Sequence, residues 1–395
     1  MYPKTSETKV LRDPIHGYIH IQYQVIWDCL NSCEFQRLHR IHQLGGVFQV
    51  YHTAEHSRFG HSLGVYEIVR RMVNEVEDIN QSLSEYEKIQ VMCAGLLHDL
   101  GHGPYSHFFE SLQTQTHEQR TCQLILDPHT EVHQALCRCD HLLPQYVVDI
   151  LMHRHTKALM NQMISSQLDA DRMDYLLRDA YETGTSYGTF DLERILRTMR
   201  VKNGVLCMKE SGMHSVEDYI MARYHMYWQV YLHPDAKSYE ILIQLFFSYY
   251  CQSDIHIPVF ECLRHEMTNE EFIEMDECRM MYGFQESSHC EDKILREYAK
   301  AILDRHLLEW QEDPSEEEIQ AIKKKIEAAG YDPSLWFVEE KKKSSAYLPY
   351  TESDSIIWIW TRHYELKPLS ACSEIVKALL RMENTLEKRI YYVKL

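Results

Sequence analysis

The chain has 395 residues, of which 45% are hydrophobic, 25% charged and 11% aromatic. This composition excludes intrinsic disorder as the general state, and the length allows two or three folded units. The 41 basic and 59 acidic residues give a net charge of −18, so general coating of DNA, RNA or an anionic membrane is not expected.

The first 25 residues predict extended structure, with a loop at DPIHG (13–17) and a short strand at 18–21. Helical patterns follow. Apolar residues three and four apart predict an amphipathic helix over 61–79. Ser84 and Glu87 predict a capping box, opening a helix whose last turn holds the pair at 98–99. Further helices are predicted at about 145–155, 165–181, 191–200, 215–231 and 237–251.

The composition changes beyond about residue 260. A charge-dense segment at 312–329 precedes β-like segments at 356–361 and 389–393. We therefore expect a mainly α protein with a smaller α+β C-terminal region. The predicted units are an N-terminal extended segment with a first helix, a helical core and the α+β region, over 1–50, 51–260 and 261–395 respectively.

The cysteines and the N-terminus predict a cytoplasmic protein. The twelve cysteines are scattered, without a C-x-x-C pair or zinc-finger spacing. The N-terminal residues lack the apolar core of a signal peptide, and no run of about 18 apolar residues occurs in the sequence. No membrane partner is expected.

Histidine and acidic residues point to a metal site. The chain has 24 histidines, concentrated between residues 39 and 155. His98 and Asp99, adjacent at a predicted helix end, offer an imidazole and a carboxylate to one cation, a set that suits Mn, Fe, Co, Ni or Mg. The alternative is a histidine that only interacts with the helix dipole.

Three sequence blocks strengthen the metal hypothesis. HDLGHGPYSH (98–107) places four potential ligands around a Gly-Pro break, and EHSRFGHSLG (55–64) adds a further Arg and His. In DADRMDYLLRD (169–179), Asp171, Tyr175 and Asp179 are four residues apart and so share one helix face. A solvent-exposed face with surface ion pairs is the alternative interpretation of that helix.

These blocks, together with KVLRDPIHGYI (9–19), EFQRLHRIHQLGG (34–46) and THEQ (116–119), resemble the HD superfamily of metal-dependent phosphohydrolases. Within it, they are similar to the deoxynucleoside triphosphate triphosphohydrolases. The resemblance extends to about residue 240, and the C-terminal third carries no motif that we can place. It implies an HD-domain helical core.

The resemblance also implies roles for individual residues. The metal ligands would be His61, His98, Asp99 and Asp171. His107, His117 and Glu110 would form the catalytic group, with Glu110 standing where aspartate is usual. Phosphate contacts would come from Arg58, His102, Arg172 and Arg223, with Arg172 replacing a common lysine. The sugar and base pocket would contain Gln43, Leu44, Tyr175, Asp179, Tyr231 and His233, although Tyr231 and His233 also fit core or interface aromatics.

The implied reaction is attack on phosphorus by water activated at a divalent transition metal (Co, Mn, Fe or Ni). A second ion such as Mg could enter with the phosphates of a deoxynucleotide-like substrate. Attack at the α-phosphorus releases triphosphate. The alternative is stepwise phosphate removal, as in a specialised phosphohydrolase of the oxetanocin A type in antibiotic biosynthesis.

Other functions fit less well. A cyclic-dinucleotide phosphodiesterase of the HD type needs a G-Y-P segment, which the sequence lacks. A non-catalytic sensor or nucleic-acid scaffold would not need the complete ligand and histidine set, and a metal store would not need Arg58 or Tyr175.

Regulatory positions depart from the family pattern. Asn31 and His39 stand where relatives use Asp and Arg to bind a guanine nucleotide, and Pro234 replaces an interface lysine. Arg194 and Lys209 are still available to hold phosphates. We therefore do not expect nucleotide-driven tetramer assembly, while a homodimer stays open.

Overall fold

The computed structural model describes residues 2–343, 350–352, 355–381 and 386–395. It opens with an antiparallel hairpin of β1 (Lys4–Asp13) and β2 (Gly17–Tyr23). Asp13 pairs with Gly17 across the turn, and the φ of +74° at Gly17 suits a residue without a Cβ. The predicted loop at 13–17 and strand at 18–21 are confirmed.

Helices then build the body of the chain. The first group comprises α1 Gln24–Leu30, α2 Cys33–Gln36, α3 Arg58–Glu75, α4 Glu77–Ser82, α5 Glu85–Leu97, α6 His107–Glu110, α7 His117–Leu126, α8 Glu131–Cys139, α9 Leu143–Leu151, α10 Ala158–Ile164 and α11 Ala170–Thr183. Short 3-10 turns at Arg37–Arg40 and Gly45–Gln49 lead from α2 towards α3.

Local signals decide where these helices begin and end. The Ser84 hydroxyl accepts a hydrogen bond from the Glu87 N–H, and the Glu87 carboxylate accepts one from the Ser84 N–H, which confirms the capping box at α5. The predicted helix over 61–79 is wrong in its extent. Extended backbone at the buried Val76 ends α3 at Glu75, and α4 continues the same apolar stripe through Ile79.

A second group of helices follows α11. It comprises α12 Leu192–Thr198, α13 Met213–Met226, α14 Pro234–Gln252, α15 Asn269–Glu274, α16 Glu277–Ser287, α17 Lys293–Leu303, α18 Glu316–Ala328, α19 Pro333–Trp336, α20 Leu369–Cys372 and α21 Glu374–Leu379. The predicted helix over 215–231 is α13 followed by a π-helical segment at Tyr227–Tyr231.

Two small sheets complete the fold. The strands are β3 Met199–Lys202, β4 Val205–Lys209, β5 Glu309–Glu312, β6 Phe337–Lys343, β7 Trp358–Trp360, β8 Leu366–Pro368 and β9 Leu386–Tyr392. One sheet has the order β3-β4-β7-β8, with β4 and β7 parallel; the other is antiparallel, in the order β5-β9-β6. The mainly α fold with an α+β C-terminal region is confirmed, as are strands within 356–361 and 389–393.

The packing of α3 against α5 and α11 positions the site. Buried side chains such as Val65, Val69 and Met173 fill the core between these helices. This packing brings together the first turn of α3, the C-terminal end of α5 and the first turn of α11. All twelve cysteines are free thiols. Among the described residues, no helix has both the length and the apolar character needed to cross a bilayer.

Candidate active site

The four predicted metal ligands converge from three helices. His61 lies in the first turn of α3, His98 and Asp99 directly follow α5, and Asp171 lies in the first turn of α11. Nε2 of His61 is 3.0 Å from Oδ1 of Asp171 and 3.3 Å from Nε2 of His98. Nε2 of His98 is 3.3 Å from Oδ1 of Asp99. The structure thus brings all four residues into one cluster.

The orientation of the two histidines fits a cation at the centre of this cluster. Nδ1 of His61 lies 2.9 Å from the Asp174 carboxylate, and Nδ1 of His98 lies 3.0 Å from the Gly95 carbonyl. Both Nδ1 atoms therefore donate, and in neutral imidazoles the two Nε2 lone pairs face each other. Ligand atoms about 2.1 Å from one ion are separated by roughly 3.0–3.4 Å at angles near 90–110°. The donors and their spacing fit a divalent metal.

The charges in the cluster shift the protonation of its members. Burial by itself lowers the pKa of His61, but hydrogen bonds with Asp171 and Asp174 outweigh it and raise the pKa to about 10. Burial acts to raise the pKa of Asp99, yet His98 and Arg58 hold it well below its usual range. The carboxylate is therefore ionised, and a bound metal would displace the proton that His61 holds.

A buried network behind His61 was missed by the sequence analysis. The second oxygen of Asp174 lies 2.6 Å from Nε2 of His16, and Arg178 donates two 2.9 Å hydrogen bonds to the same carboxylate. Arg178 also bonds to Asp13 at 2.8 Å. His16 and Asp13 belong to the DPIHG loop, which thereby orients a predicted metal ligand. The available signal was the charged pair Asp174 and Arg178, four residues apart on one helix.

Close approach of α3 and α11 makes this network possible. A Cβ at Gly64 would lie 1.8 Å from Oδ1 of Asp174 and 2.5 Å from a terminal nitrogen of Arg178. Such separations are far below van der Waals contact, so the side chains of α11 occupy the space that glycine leaves. Gly64 is therefore required by the packing of the site.

Arg58 and His102 lie against Asp99. Arg58 forms an ion pair with the Asp99 carboxylate, and its Nε and Nη2 atoms donate to Oγ of Ser106 at 3.1 and 2.8 Å. Nε2 of His102 lies 3.3 Å from Oδ1 of Asp99. Burial and the adjacent Arg58 hold the pKa of His102 well below its usual value, so the imidazole is neutral. Both predicted phosphate ligands are thus beside the metal cluster.

The loop that follows His102 has an unusual backbone. Tyr105 and Ser106 adopt φ values of +57° and +55°. Left-handed conformations of residues other than glycine cost about 1–3 kcal/mol each and persist where the surroundings enforce them, often at functional sites. Both residues are buried, so this loop is held tightly against the cluster.

A histidine–carboxylate pair lies next to the cluster. Nδ1 of His117 is 2.8 Å from Oε1 of Glu110, and the His117 ring stacks on His102 with 3.9 Å between centroids. Burial lowers the pKa of His117, but the hydrogen bond with Glu110 reverses this and raises the pKa. The longer side chain at position 110 therefore reaches its partner. His107 begins α6, and its side chain lies outside the described part of the structure.

A cavity of about 350 Å³ opens beside the cluster. Its lining contains predicted metal ligands with phosphate or catalytic candidates, which we name the first wall, and a group around the predicted sugar and base residues, which we name the second wall. The first wall contains Arg58, Asp99, His102, His117 and Asp171, and the second contains Gln43, Leu44, Tyr175, Asp179, Tyr231 and Glu240; Tyr105, Ser106 and Tyr227 also line the cavity.

Comparison with known proteins places the chain in a family. Residues 58–179 match the HD domain and residues 190–388 match the HD associated region. The chain is 42% identical to the uncharacterized protein YwfO of Bacillus subtilis, over all of this chain and 94% of that protein. It belongs to the HD superfamily of phosphohydrolases.

Two further relatives support this assignment. A crystal structure of a phosphohydrolase from Bacteroides thetaiotaomicron superposes with a TM-score of 0.88 and 25% identity, covering 98% of this chain and 100% of that one. A protein of Dictyostelium discoideum named deoxynucleoside triphosphate triphosphohydrolase SAMHD1 homolog is 27% identical, over 78% of this chain and 61% of that protein. The chain is thus an HD-type hydrolase, and it spans less than two thirds of the SAMHD1 homolog.

The second wall of the HD phosphohydrolase cavity is organised around Asp179. His56 Nε2 lies 2.8 Å from one of its carboxylate oxygens, and the Tyr231 hydroxyl donates to the other at 2.8 Å. Tyr175 packs edge-to-face with Tyr231, with 6.1 Å between ring centroids. Tyr231 thus lines the cavity and also packs against Tyr175. His56 holds Asp179 from outside the cavity lining, and the sequence analysis missed it.

Three other predicted residues are absent from the cavity lining and have protein partners. Arg172 forms an ion pair with Asp169, and Arg223 donates to the Gln167 amide oxygen at 2.9 Å. His233 caps α14 and accepts a hydrogen bond from the Asp235 N–H at 3.3 Å. The phosphate roles of the two arginines and the base role of His233 stay predictions.

A second cavity of about 370 Å³ lies next to the same ligands of the HD phosphohydrolase. His98, Asp99, His117 and Asp171 contribute to its lining, together with polar side chains including Thr116 and Ser165. The ligand cluster therefore borders two spaces, one of which also contains the sugar and base candidates.

Proposed function

We propose that this HD phosphohydrolase hydrolyses deoxynucleoside triphosphates or closely related nucleotides, with release of triphosphate. The observation that carries the proposal is the cavity shared by the ligand cluster and the wall of Tyr175, Asp179 and Tyr231. Such a cavity joins a phosphate-handling end to an aromatic and carboxylate end, as a nucleotide requires. The name of the Dictyostelium relative supports the same substrate class.

We assign a divalent transition metal, Co, Mn, Fe or Ni, to His61, His98, Asp99 and Asp171. Two imidazoles with two carboxylates form a mixed set that such ions favour. When bound, the ion supplies Lewis acidity towards a phosphoryl oxygen and lowers the pKa of water. A second ion such as Mg would enter with the substrate phosphates. His16 and Arg178 keep Asp174, and through it His61, in the orientation that binding needs.

The other residues of the first wall would handle phosphate charge and protons. Arg58 provides a cation beside Asp99, and the neutral His102 would donate its ring N–H to a phosphate oxygen. His117, whose pKa the hydrogen bond with Glu110 raises against the effect of burial, would donate its proton to the oxygen that leaves phosphorus. We assign His107 to the same catalytic group from the family resemblance.

The second wall would select the sugar. Both Asp179 oxygens are already held, so the carboxylate is fixed in place to accept a hydrogen bond from a sugar hydroxyl. Tyr175 would pack against the sugar and leave no space for a 2′-hydroxyl. Gln43 and Leu44 lie on the same wall, where they would contact the sugar and base.

The decisive experiment is product analysis. Metal-loaded protein is incubated separately with each dNTP and each NTP, and products are resolved by anion-exchange chromatography and phosphorus NMR. We expect nucleoside plus triphosphate from dNTPs and much slower turnover of NTPs. Orthophosphate with di- and monophosphates would replace the proposal by stepwise trimming of the oxetanocin A type. No turnover of any nucleotide would overturn the substrate class.

We further propose a cytoplasmic enzyme that guanine nucleotides do not assemble into a tetramer. The twelve free thiols support a reducing compartment. His39 stacks on Phe59 at 3.6 Å, and burial lowers its pKa, so position 39 presents no cation at neutral pH. Sizing chromatography with and without GTP or dGTP tests this, and a shift to tetramer would refute it.

A further inference from the structure

A short segment at the start of α16 joins the C-terminal region to the helical core and to the Tyr105–Ser106 loop beside the cluster. The Met275 carbonyl accepts a hydrogen bond from Nε of Arg37 at 2.9 Å, and Asp276 forms an ion pair with Arg40. The next residue, Glu277, is 5% exposed and directs its carboxylate towards the loop. Residues 275–277 therefore connect the C-terminal α+β region to the catalytic half of the protein.

Glu277 holds two separate chain segments. Its Oε1 accepts hydrogen bonds from the backbone N–H of His42 at 3.0 Å and of Tyr105 at 3.1 Å. Its Oε2 is hydrogen-bonded to Nδ1 of His42. One buried carboxylate thus satisfies two backbone donors and one side chain. These hydrogen bonds explain why a carboxylate can be buried at this position.

One of the two segments that Glu277 holds is the Tyr105–Ser106 loop, whose residues have positive φ angles. Tyr105 is the first of the two residues with positive φ, and its hydroxyl also contacts Sδ of Met281, on the same helix, at 3.3 Å. Helix α16 therefore fixes Tyr105 at both its backbone amide and its side chain. Because such backbone conformations persist only where the surroundings enforce them, this contact is what the loop requires.

The Tyr105–Ser106 loop is connected to the proposed metal ligand Asp99 through Arg58. Ser106 follows Tyr105, and its Oγ lies 3.1 Å from the His42 carbonyl, to which it donates. The same Oγ accepts two hydrogen bonds from Arg58, which is paired with Asp99. Glu277 thus holds the His42 backbone directly. It acts on Arg58 indirectly, through the Ser106 hydroxyl.

We propose that Glu277 is a positioning residue of the active site, which aligns Arg58 and Asp99 by fixing the Tyr105–Ser106 loop. It acts through other residues, since it is not part of the cavity lining. The inference assigns an active-site function to the C-terminal region and rests on the proposed phosphohydrolase site. Removing the oxygen that accepts the two backbone hydrogen bonds should slow the chemical step more than it weakens substrate binding.

The test compares Glu277→Ala, Glu277→Asp and Glu277→Gln with the control Glu274→Gln. Glu274 pairs with Arg279 at the surface nearby. The glutamine amide keeps an oxygen for both backbone donors and an N–H for a neutral His42, whereas alanine has no acceptor and aspartate is one methylene shorter. We expect kcat to fall at least about 10-fold in the alanine and aspartate variants, with KM changed less than about 3-fold. Glutamine should restore kcat to within about 3-fold.

Hydrogen exchange gives a readout that needs no substrate. Amides of residues 101–110 should exchange at least about 10-fold faster in Glu277→Ala, or in Glu277→Asp if the alanine variant does not fold, and the control should match the wild type. Unchanged exchange and kcat in both variants would overturn the proposal, as would equal loss in the glutamine and alanine variants. If the wild type hydrolyses no nucleotide, the proposed function fails and the exchange experiment still decides this inference.

Discussion

Nδ1 of His61 lies 2.9 Å from Oδ2 of Asp174, and both side chains are fully buried. This hydrogen bond joins the first turn of α3 to α11 and sets which ring nitrogen of His61 carries the proton. Nε2 is then left for the metal. Asp174 is itself held by His16 and Arg178, so the orientation of one ligand depends on the N-terminal hairpin and on α11 together.

Replacing Asp174 with asparagine should weaken metal binding by about 10–100-fold, the usual effect of losing a partner of a ligating histidine. The substitution removes the charge that stabilises the Nδ1–H tautomer of His61 and leaves Arg178 with less compensation. Isothermal titration of the metal-free protein with Mn²⁺ measures the effect. Glu182→Gln, on the same helix, is the control. Equal affinities in the variant and the wild type would show that the network does not support the site.

Gly64→Ala and Gly60→Ala form a matched pair on α3. The added methyl group at position 64 would overlap Asp174, whereas at position 60 its nearest neighbour is an Arg178 nitrogen at 3.6 Å, an ordinary contact. We expect Gly64→Ala to lower the free energy of unfolding by about 1–3 kcal/mol. The variant protein should also lose metal. Gly60→Ala should be neutral or stabilising by up to about 1 kcal/mol. Urea titrations and metal analysis compare the pair, and similar behaviour of both variants would contradict the packing argument.

Asp99→Ala should remove metal and activity together, because Asp99 is both a proposed ligand and the partner of the buried Arg58. Metal content by mass spectrometry and nucleotide turnover are measured on the same preparation. The surface variant Asp218→Asn serves as control. Turnover retained in a protein without metal would reject the metal mechanism.

His117→Ala should keep the metal and slow hydrolysis by at least about 100-fold, the usual contribution of a general acid.

Glu110→Gln should change the pH dependence of kcat. Glu110, Glu118 and Asp99 are the acidic groups that favour the His117 cation, and the adjacent His102 is neutral. Loss of the Glu110 charge lowers the raised pKa of His117, so the proton is lost at lower pH. The alkaline limb of the kcat profile should therefore move to lower pH, and an unmoved limb would assign the proton donor elsewhere.

Tyr231→Phe should raise KM for dNTPs severalfold with little change in kcat, because it removes the hydroxyl that holds Asp179 without altering the ring. Tyr227→Phe is a useful comparison, since Tyr227 also lines the cavity but is a neighbour of Tyr231 rather than a partner of Asp179. Steady-state kinetics with one dNTP measure both. A kcat defect without a KM change would place Tyr231 in the chemical step.

Much of this protein is determined by local sequence. Apolar spacing, the Ser84–Glu87 capping box and the DPIHG turn predict element types because they depend on neighbours within a few residues. His61, His98, Asp99 and Asp171 are predicted as ligands from ordered motifs, and they meet because α3, α5 and α11 pack together. Predicting the cluster of these four residues therefore required only correct helix predictions and a correct family resemblance.

Contacts between distant segments were decided by tertiary structure alone. Asp13 and Arg178 are 165 residues apart, and Tyr105 and Glu277 are 172 residues apart. No local pattern encodes such pairs, because each residue fits its own helix or loop equally well without the other. Burial makes them specific: once packing removes water from a carboxylate or an N–H, only a partner at hydrogen-bonding distance can replace it.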